Sequence, residues 1–158
     1  MLAIGLASLT WFSPGGAAGL EDGIAIANDL AQEAALAKTR QVPLLILFTS
    51  PNCMYCERVK QEFLIPMQRN PEYANKVLMR QIEYRGSGKL VDFSGASTTP
   101  AQFSKLHKIT LTPTVKLFDS AGNSLSEPLV GLTTPDYYGA FLDRAIDEAL
   151  AKTRHPSR

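Results

Sequence analysis

The stretch PLLILFTSPNCMYC, residues 43–56, decides the fold, because an apolar run leads through a short turn into a helical pattern. The apolar part, residues 42–49, has the length of a strand, and its lack of alternation predicts burial on both faces. The turn ends on Cys53 and Cys56, the only two cysteines of the 158-residue chain. The sequence therefore predicts a Cys-x-x-Cys pair at the first turn of a helix.

This placement favours redox chemistry at the two sulfurs. A helix N-terminus carries about half a positive charge and unpaired backbone N–H groups. Both stabilise a thiolate at Cys53, and the thiolate is the reactive form of cysteine. Cys56 is close enough in sequence to close a small disulfide ring. The pair indicates thiol–disulfide exchange, with Cys53 and Cys56 as the catalytic residues.

Structural roles for the two cysteines are less well supported. A disulfide that closes so short a loop adds little stability, and structural zinc needs four ligands, for which only His107 and His155 remain. We therefore predict no metal site and no cofactor. Two alternatives stay open. One is a Cu(I)-handling dithiol protein with the thioethers of Met54 and Met67 nearby, and the other is a redox-silent interaction module.

Size and charge limit the remaining possibilities. A chain of 158 residues with 45% hydrophobic residues corresponds to one globular domain. The formal net charge is +1, and no basic stripe is present, so we expect no nucleic-acid partner. We expect the protein to be a monomer.

The first part of the chain has the pattern of an export signal. Residues 1–20 carry no charged side chain, and an apolar segment is followed by small, turn-forming residues. This predicts a signal peptide cleaved near residues 18–21, although no Lys or Arg precedes the apolar segment. An N-terminal anchor and an ordinary apolar N-terminal element are the alternatives. We expect a periplasmic protein, or one anchored in the membrane and facing the periplasm, with a domain at residues 21–153 and a tail at 154–158.

The remaining elements follow from periodicity and turn residues. Thr99 before Pro100 is a typical helix start, as is Thr134 before Pro135. We predict a helix over 22–40, a strand over 42–49, a helix over 53–65 that Pro66 ends or kinks, a strand over 77–84, an excursion over 85–97, a helix over 99–108, a strand from Thr114, a returning strand over 124–130 and a final amphipathic helix. This order implies an α/β fold with a mixed four-stranded sheet and helices on both faces.

The chain resembles thioredoxins, in particular the SoxW-like and TlpA-like exported bacterial branch. The resemblance rests on residues 45–56, on Asp92-Phe93-Ser94-Gly95 before the Thr-Pro-capped helix, and on TPTVKLFD at residues 112–119. It implies a thioredoxin-like fold in which Cys53 attacks the substrate disulfide and Cys56 resolves the mixed disulfide. It also implies a cis peptide bond at Pro113 beside the dithiol, which leaves the Thr112 backbone free to pair with substrate. Tyr55 would line the substrate groove or pack against the sheet edge.

The resemblance implies a protein-disulfide reductase that acts on client proteins and takes electrons from a membrane or periplasmic donor. The chain also departs from thioredoxins proper. Leu47 stands where they have a buried acid that assists the resolving cysteine, and Asn52 stands where they have Trp. Cys56 then needs another proton acceptor, for which Glu57 and Glu83 are candidates. No His lies between the two cysteines, which favours a reductase over an oxidase.

Overall fold

The computed structural model describes residues 23–155. The predicted signal segment, residues 1–20, and the last three residues of the predicted tail lie outside this range. The elements in chain order are α1 (Leu30–Arg40), β1 (Leu44–Thr49), α2 (Met54–Val59), a π-helical turn (Lys60–Leu64), α3 (Ile65–Arg69), α4 (Pro71–Ala74), β2 (Leu78–Glu83), β3 (Leu90–Val91), β4 (Ser97–Thr98), α5 (Pro100–Leu106), β5 (Thr114–Phe118), β6 (Leu129–Val130) and α6 (Pro135–Arg154).

The main sheet is mixed and four-stranded, as predicted, and its strand order is β2-β1-β5-β6. Strand β1 pairs in parallel with β2 and antiparallel with β5, and β5 pairs antiparallel with β6. The returning strand is shorter than predicted. Only Leu129–Val130 forms a ladder with β5, and Ser124 adds an isolated bridge to Phe118. The intervening residues include Pro128, which has no N–H to donate to a ladder.

Two hydrophobic clusters lie on opposite faces of the sheet, and β1 contributes to both. Leu45 and Leu47 belong to the first cluster, whereas Leu44, Ile46 and Phe48 belong to the second. All five side chains are 0% exposed, which confirms that β1 is buried on both faces. The first cluster takes its helical residues from the segments around α2, α3 and α6, and the second takes them from α1 and α5.

The prediction of a helix from residue 22 was wrong for its first part. Helix α1 begins only at Leu30, after Asp29, whose side chain accepts a hydrogen bond from the Gln32 N–H at 2.9 Å. The preceding residues run beside β2, where the Ala27 N–H donates to the Gln81 carbonyl at 3.0 Å. Ile26, in this extended segment, is 66% exposed. Pairing with a distant strand thus outweighs the local helical pattern.

Pro66 does not end the second helical segment, contrary to one of the two predicted outcomes. Helices α2 and α3 are joined by the π-helical turn, and the helical backbone continues to Arg69. The Ile65 N–H donates to the Lys60 carbonyl, five residues back. A proline inside an α-helix removes one N–H donor and crowds the preceding turn. The wider turn just before Pro66 accommodates the ring without breaking the helix.

The excursion over 85–97 contains a small β-hairpin of its own. Strands β3 and β4 pair antiparallel, Leu90 with Thr98 and Val91 with Ser97. Helix α5 follows with Thr99 as N-cap, and the Thr99 hydroxyl accepts a hydrogen bond from the Gln102 N–H at 3.2 Å. The predicted helix start is therefore confirmed.

The final helix packs one face against the first cluster, as its apolar spacing predicted. Its buried residues are Tyr138, Leu142, Ala145, Ile146 and Ala149. The helix includes Arg154, the first residue of the predicted tail. Within residues 23–155, no helix has both the length and the apolar character needed to cross a membrane.

Candidate redox site

The dithiol lies where β1 ends and α2 begins. Cys53 is the N-cap residue of α2, with an extended backbone at φ −86° and ψ 97°. Its sulfur accepts a hydrogen bond from the Cys56 N–H at 3.1 Å. In the structure the two sulfurs form a disulfide, with Cα atoms 5.2 Å apart. The predicted pair therefore lies at the first turn of a helix and is close enough to cycle between dithiol and disulfide.

The two sulfurs differ in accessibility. Cys53 is partly exposed, whereas Cys56 is 0% exposed. Only a reachable sulfur can attack an external disulfide, and the N-cap position gives Cys53 the free N–H groups and the positive end of the helix. The buried position of Cys56 suits a sulfur that reacts with Cys53 and not with the client. This asymmetry supports the assignment of attacking and resolving roles.

The loop before β5 is tied to the loop that carries the dithiol. The Thr112–Pro113 peptide bond is cis, as predicted, and Pro113 is buried. The hydroxyl oxygens of Ser50 and Thr112 are 2.8 Å apart and form a hydrogen bond. Ser50 lies three residues before Cys53. This single side-chain contact holds the proline loop beside the site.

A third loop, which follows β6, lies against the proline loop. The Gly131 N–H donates to the Pro113 carbonyl at 2.7 Å. Gly131 has φ +72°, and a Cβ there would lie 3.8 Å from a terminal carbon of Leu111. The left-handed backbone favours glycine at this position. The three loops thus meet around the cis peptide bond.

Four of the eight exposed large apolar side chains in residues 23–155 lie in these three loops or at their edges. Met54 is 68% exposed, Tyr55 52%, Leu111 52% and Val130 46%. An exposed apolar surface next to a reactive group is typical of a recognition site. Because its side chain is half exposed, Tyr55 is available to a ligand. Its contact with a client, like that of Thr112 and Pro113, stays a prediction.

The departures from thioredoxins have structural counterparts. Leu47 is 0% exposed within the first cluster, so an apolar side chain fills the place of the buried acid. Asn52 has φ +57°, a conformation that asparagine tolerates better than most residues.

Both candidate proton acceptors border one cavity next to the dithiol loop. Glu57 and Glu83 line a space of about 370 Å³ together with Asn52 and Lys60. The carboxylate of Glu57 forms an ion pair with the Lys60 ammonium at 2.5 Å. A carboxylate and an ammonium group therefore lie together beside the cysteine loop. The role of either carboxylate as the proton acceptor for Cys56 stays a prediction.

The remaining candidates are not gathered at the dithiol. Met67 is buried in the first cluster, 11 residues after Cys56 along one helical segment, which corresponds to roughly 16 Å. His107 packs against Phe103 and Phe118, with ring centroids 4.4 and 5.0 Å away. Among residues 23–155, no three His, Cys, Asp or Glu side chains are grouped so that they could hold a metal ion.

Two residues that shape the site, Ser50 and Gly131, were not predicted from the sequence. The Ser50 contact spans 62 residues of sequence, and no local pattern encodes it. Gly131 follows β6 directly and has positive φ, but a glycine after a strand is common in turns of every kind.

The arrangement defines the class of protein: a thioredoxin-fold domain with a Cys-x-x-Cys pair at its first strand–helix turn. Solved structures are similar in fold. A thioredoxin-fold protein from Helicobacter pylori gives a TM-score of 0.60 at 19% identity, covering 89% of this chain and 85% of that chain. Oxidised mitochondrial thioredoxin 3 from Saccharomyces cerevisiae gives 0.54 at 18% identity, covering 79% and 94%.

The family model for a thioredoxin-like domain matches residues 30–146. The chain therefore belongs to the thioredoxin-like family. No curated protein matches the sequence. The fold and the Cys53–Cys56 pair together support a thiol–disulfide oxidoreductase.

Proposed function

We propose that this protein reduces disulfide bonds in client proteins outside the cytoplasm. The observation that carries the proposal is the asymmetry of the pair, with an accessible Cys53 at the helix N-cap and a buried Cys56 three residues on. The apolar surface formed by Met54, Tyr55, Leu111 and Val130 offers an extended client segment a place to bind.

The reaction passes through two exchange steps. The Cys53 thiolate attacks one sulfur of the client disulfide, forms the Cys53–client bond, and releases the other client sulfur as a thiolate that takes up a proton. Cys56 then loses its proton and attacks the Cys53 sulfur. This closes the Cys53–Cys56 disulfide and releases the second client thiol. Two electrons have moved from the dithiol to the client, and a membrane or periplasmic dithiol donor restores the reduced pair.

A trapping experiment tests the mechanism. Wild type should reduce insulin in the presence of dithiothreitol, and Cys53→Ser should be inactive. Cys56→Ser should accumulate mixed disulfides through Cys53, because the resolving step is missing. The control is wild type whose two cysteines are alkylated before the assay, because any insulin reduction that remains is then independent of the dithiol. Turnover by Cys53→Ser, or the absence of any mixed disulfide with Cys56→Ser while wild type is active, would contradict the proposed roles.

The direction of electron flow is tested by the reduction potential of the pair. Reductases of this fold have reduction potentials of about −270 mV, and a strong oxidase has one of about −120 mV. Equilibration with glutathione buffers, followed by quantification of the reduced fraction, should give a value below about −200 mV. A value near that of the strong oxidase would show that the protein donates disulfides.

The location outside the cytoplasm rests on residues 1–20, which carry no charge and are rich in apolar and small residues. Mass spectrometry of the protein from its native host should show a mature N-terminus near residues 18–21. Recovery of the chain with Met1 from a soluble cytoplasmic fraction would contradict export.

A further inference from the structure

A second cleft lies beside the proline loop, on the side of β2 and α5. It has a volume of about 410 Å³, and its lining includes Tyr84, Arg85, Ser104, Lys105, Lys108 and Thr110. We call it the basic cleft. Three of these side chains are cationic, and none of the described residues that line the cleft is acidic. The protein has a net charge of only +1, so this local excess of positive charge is not a general property of its surface.

The cations are placed at the cleft by the backbone on both sides. Arg85 directly follows Tyr84, and its guanidinium lies over the Tyr84 ring at 4.9 Å from the centroid. The Tyr84 N–H donates to the Thr49 carbonyl at 2.9 Å, which anchors this segment to the end of β1. Lys108 has φ +58° at the turn after α5. All three cations are exposed, and a ligand can reach them without first breaking the core.

Ser104 supplies a second, independent observation. Ser104 is one of the residues that line the basic cleft, yet it is only 1% exposed. Its hydroxyl has no hydrogen-bond partner among the described residues. A buried hydroxyl without a partner is unfavourable, and such groups are uncommon in native proteins. An unpartnered hydroxyl in a residue that lines a cleft with three cationic residues suits an anionic ligand whose oxygens only accept hydrogen bonds.

The basic cleft borders the proline loop through Thr110. Thr110 lies two residues before Thr112, so their Cα atoms are at most about 7 Å apart. Leu111, between them, belongs to the exposed apolar surface. A client segment that crosses the proline loop therefore passes the basic cleft within a few residues of its reacting cysteine.

We propose that the basic cleft binds a carboxylate side chain of the client, so that disulfides flanked by Asp or Glu are reduced in preference to neutral ones. The proposal rests on the reductase function given above. Charges at the rim of an interface act mainly on the rate of encounter and on partner choice. The carboxylate thus selects the client, and the dithiol reduces it.

The test compares two disulfide peptides that are identical except for Asp or Asn within three residues of each cysteine. For wild type at low ionic strength, kcat/KM for the Asp peptide should be about fivefold higher, which is what a few exposed ion pairs supply. Lys105→Gln/Lys108→Gln should bring the ratio close to one. Lys38→Gln/Arg40→Gln removes the same charge from the far end of α1 and should keep the preference.

Ser104→Ala gives a readout that does not depend on charge. Loss of an unpartnered hydroxyl should leave the free energy of unfolding unchanged or higher, while the preference for the Asp peptide falls. Equal kcat/KM for both peptides with wild type, or a ratio that neither Ser104→Ala nor the lysine variant lowers, would overturn the proposal. The proposal would also be overturned if millimolar inorganic phosphate inhibited the reduction of both peptides equally and the lysine variant relieved this inhibition. The cleft would then bind free anions. Failure to reduce either peptide would contradict the reductase function itself.

Discussion

At the scale of single residues, Cys53 and Cys56 have different environments although they belong to one helical turn. Cys53 caps the helix and is partly exposed, and Cys56 is fully buried. We expect iodoacetamide to alkylate Cys53 first when the reduced protein is treated at mildly acidic pH, because helix-terminal thiols keep more thiolate there. Peptide mass spectrometry after short exposures measures the order of labelling. Earlier labelling of Cys56 would show that the roles are reversed.

His107 is a second residue whose surroundings predict behaviour. Burial between Phe103 and Phe118, together with the positive charge of Lys116, lowers its pKa from the ordinary value of 6.5. The folded state therefore binds a proton less readily than the unfolded chain does. Above both the folded and the unfolded pKa, His107 is neutral in either state and its protonation does not affect the free energy of unfolding. Stability is lost as pH falls through 6.5 toward the lowered folded value.

Denaturant titrations between about pH 7.5 and about pH 5.5 measure this loss. His107→Phe keeps a ring in the cluster but cannot titrate, so its free energy of unfolding should fall less over this range than that of wild type. His155→Gln, at an exposed position, is the matched control and should follow wild type. If His107→Phe and wild type lose stability equally, the histidine is not the source of the pH dependence.

At the scale of elements, the β3–β4 hairpin is held to the sheet by a tight contact with the turn after β5. Gly122 has φ +85°, and a Cβ there would lie 2.7 Å from Phe93, whose ring packs against Phe103 and Phe118. Gly122→Ala should lower the free energy of unfolding by about 2 kcal/mol or more, since the clash adds to the backbone strain.

Substitution of Gly95 separates the steric clash from the backbone strain. Its φ is +86°, but nothing lies within 4 Å of a Cβ added there. Gly95→Ala should therefore cost only the strain of a left-handed backbone, about 1–2 kcal/mol. Chemical denaturation of both variants measures the difference. Equal losses at the two positions would mean that Phe93 moves aside freely and that the hairpin is loosely held.

Elements with a strong local pattern were predictable from the sequence. The apolar run of β1, the cap residue Thr99 and the spacing of apolar residues in α6 each depend on neighbours in the chain. The errors have a different origin. Residues 24–27 bond to Gln81 of β2, and residues 28 and 29 pair with Val91 of β3, each across more than fifty residues of sequence. Pro66 is accommodated by a π-helical turn that residue propensities do not encode. The Ser50–Thr112 contact is equally non-local.

At the scale of the whole molecule, the site depends on both hydrophobic clusters. Strand β1 lies between β2 and β5, sends alternate side chains into the two clusters, and leads directly into the dithiol turn. Loss of packing on either face of the sheet should therefore destabilise the same strand, β1. We expect the protein to unfold in one cooperative transition, as single domains of this size usually do.

Leu142→Ala and Phe103→Ala test this expectation from opposite faces. Leu142 is 0% exposed in the first cluster and Phe103 is 2% exposed in the second. Each substitution should cost about 3–5 kcal/mol, because a large buried side chain leaves a cavity. The dependence of stability on denaturant should keep the same slope, since the surface exposed on unfolding is nearly unchanged. Far-ultraviolet circular dichroism and tyrosine fluorescence should give coincident curves, with the Cys53–Cys56 pair kept oxidised throughout.

Leu106→Ala is the matched control, because Leu106 is 74% exposed on α5 and its truncation should change stability by less than about 0.5 kcal/mol. Separate transitions for the two probes in Leu142→Ala or Phe103→Ala would show that the two faces unfold independently. A loss in Leu106→Ala as large as that in Leu142→Ala would show that burial in these clusters does not set the stability. With one transition and a small effect at Leu106, the two faces of the sheet would belong to one cooperative unit, with β1 and the dithiol turn that follows it between them.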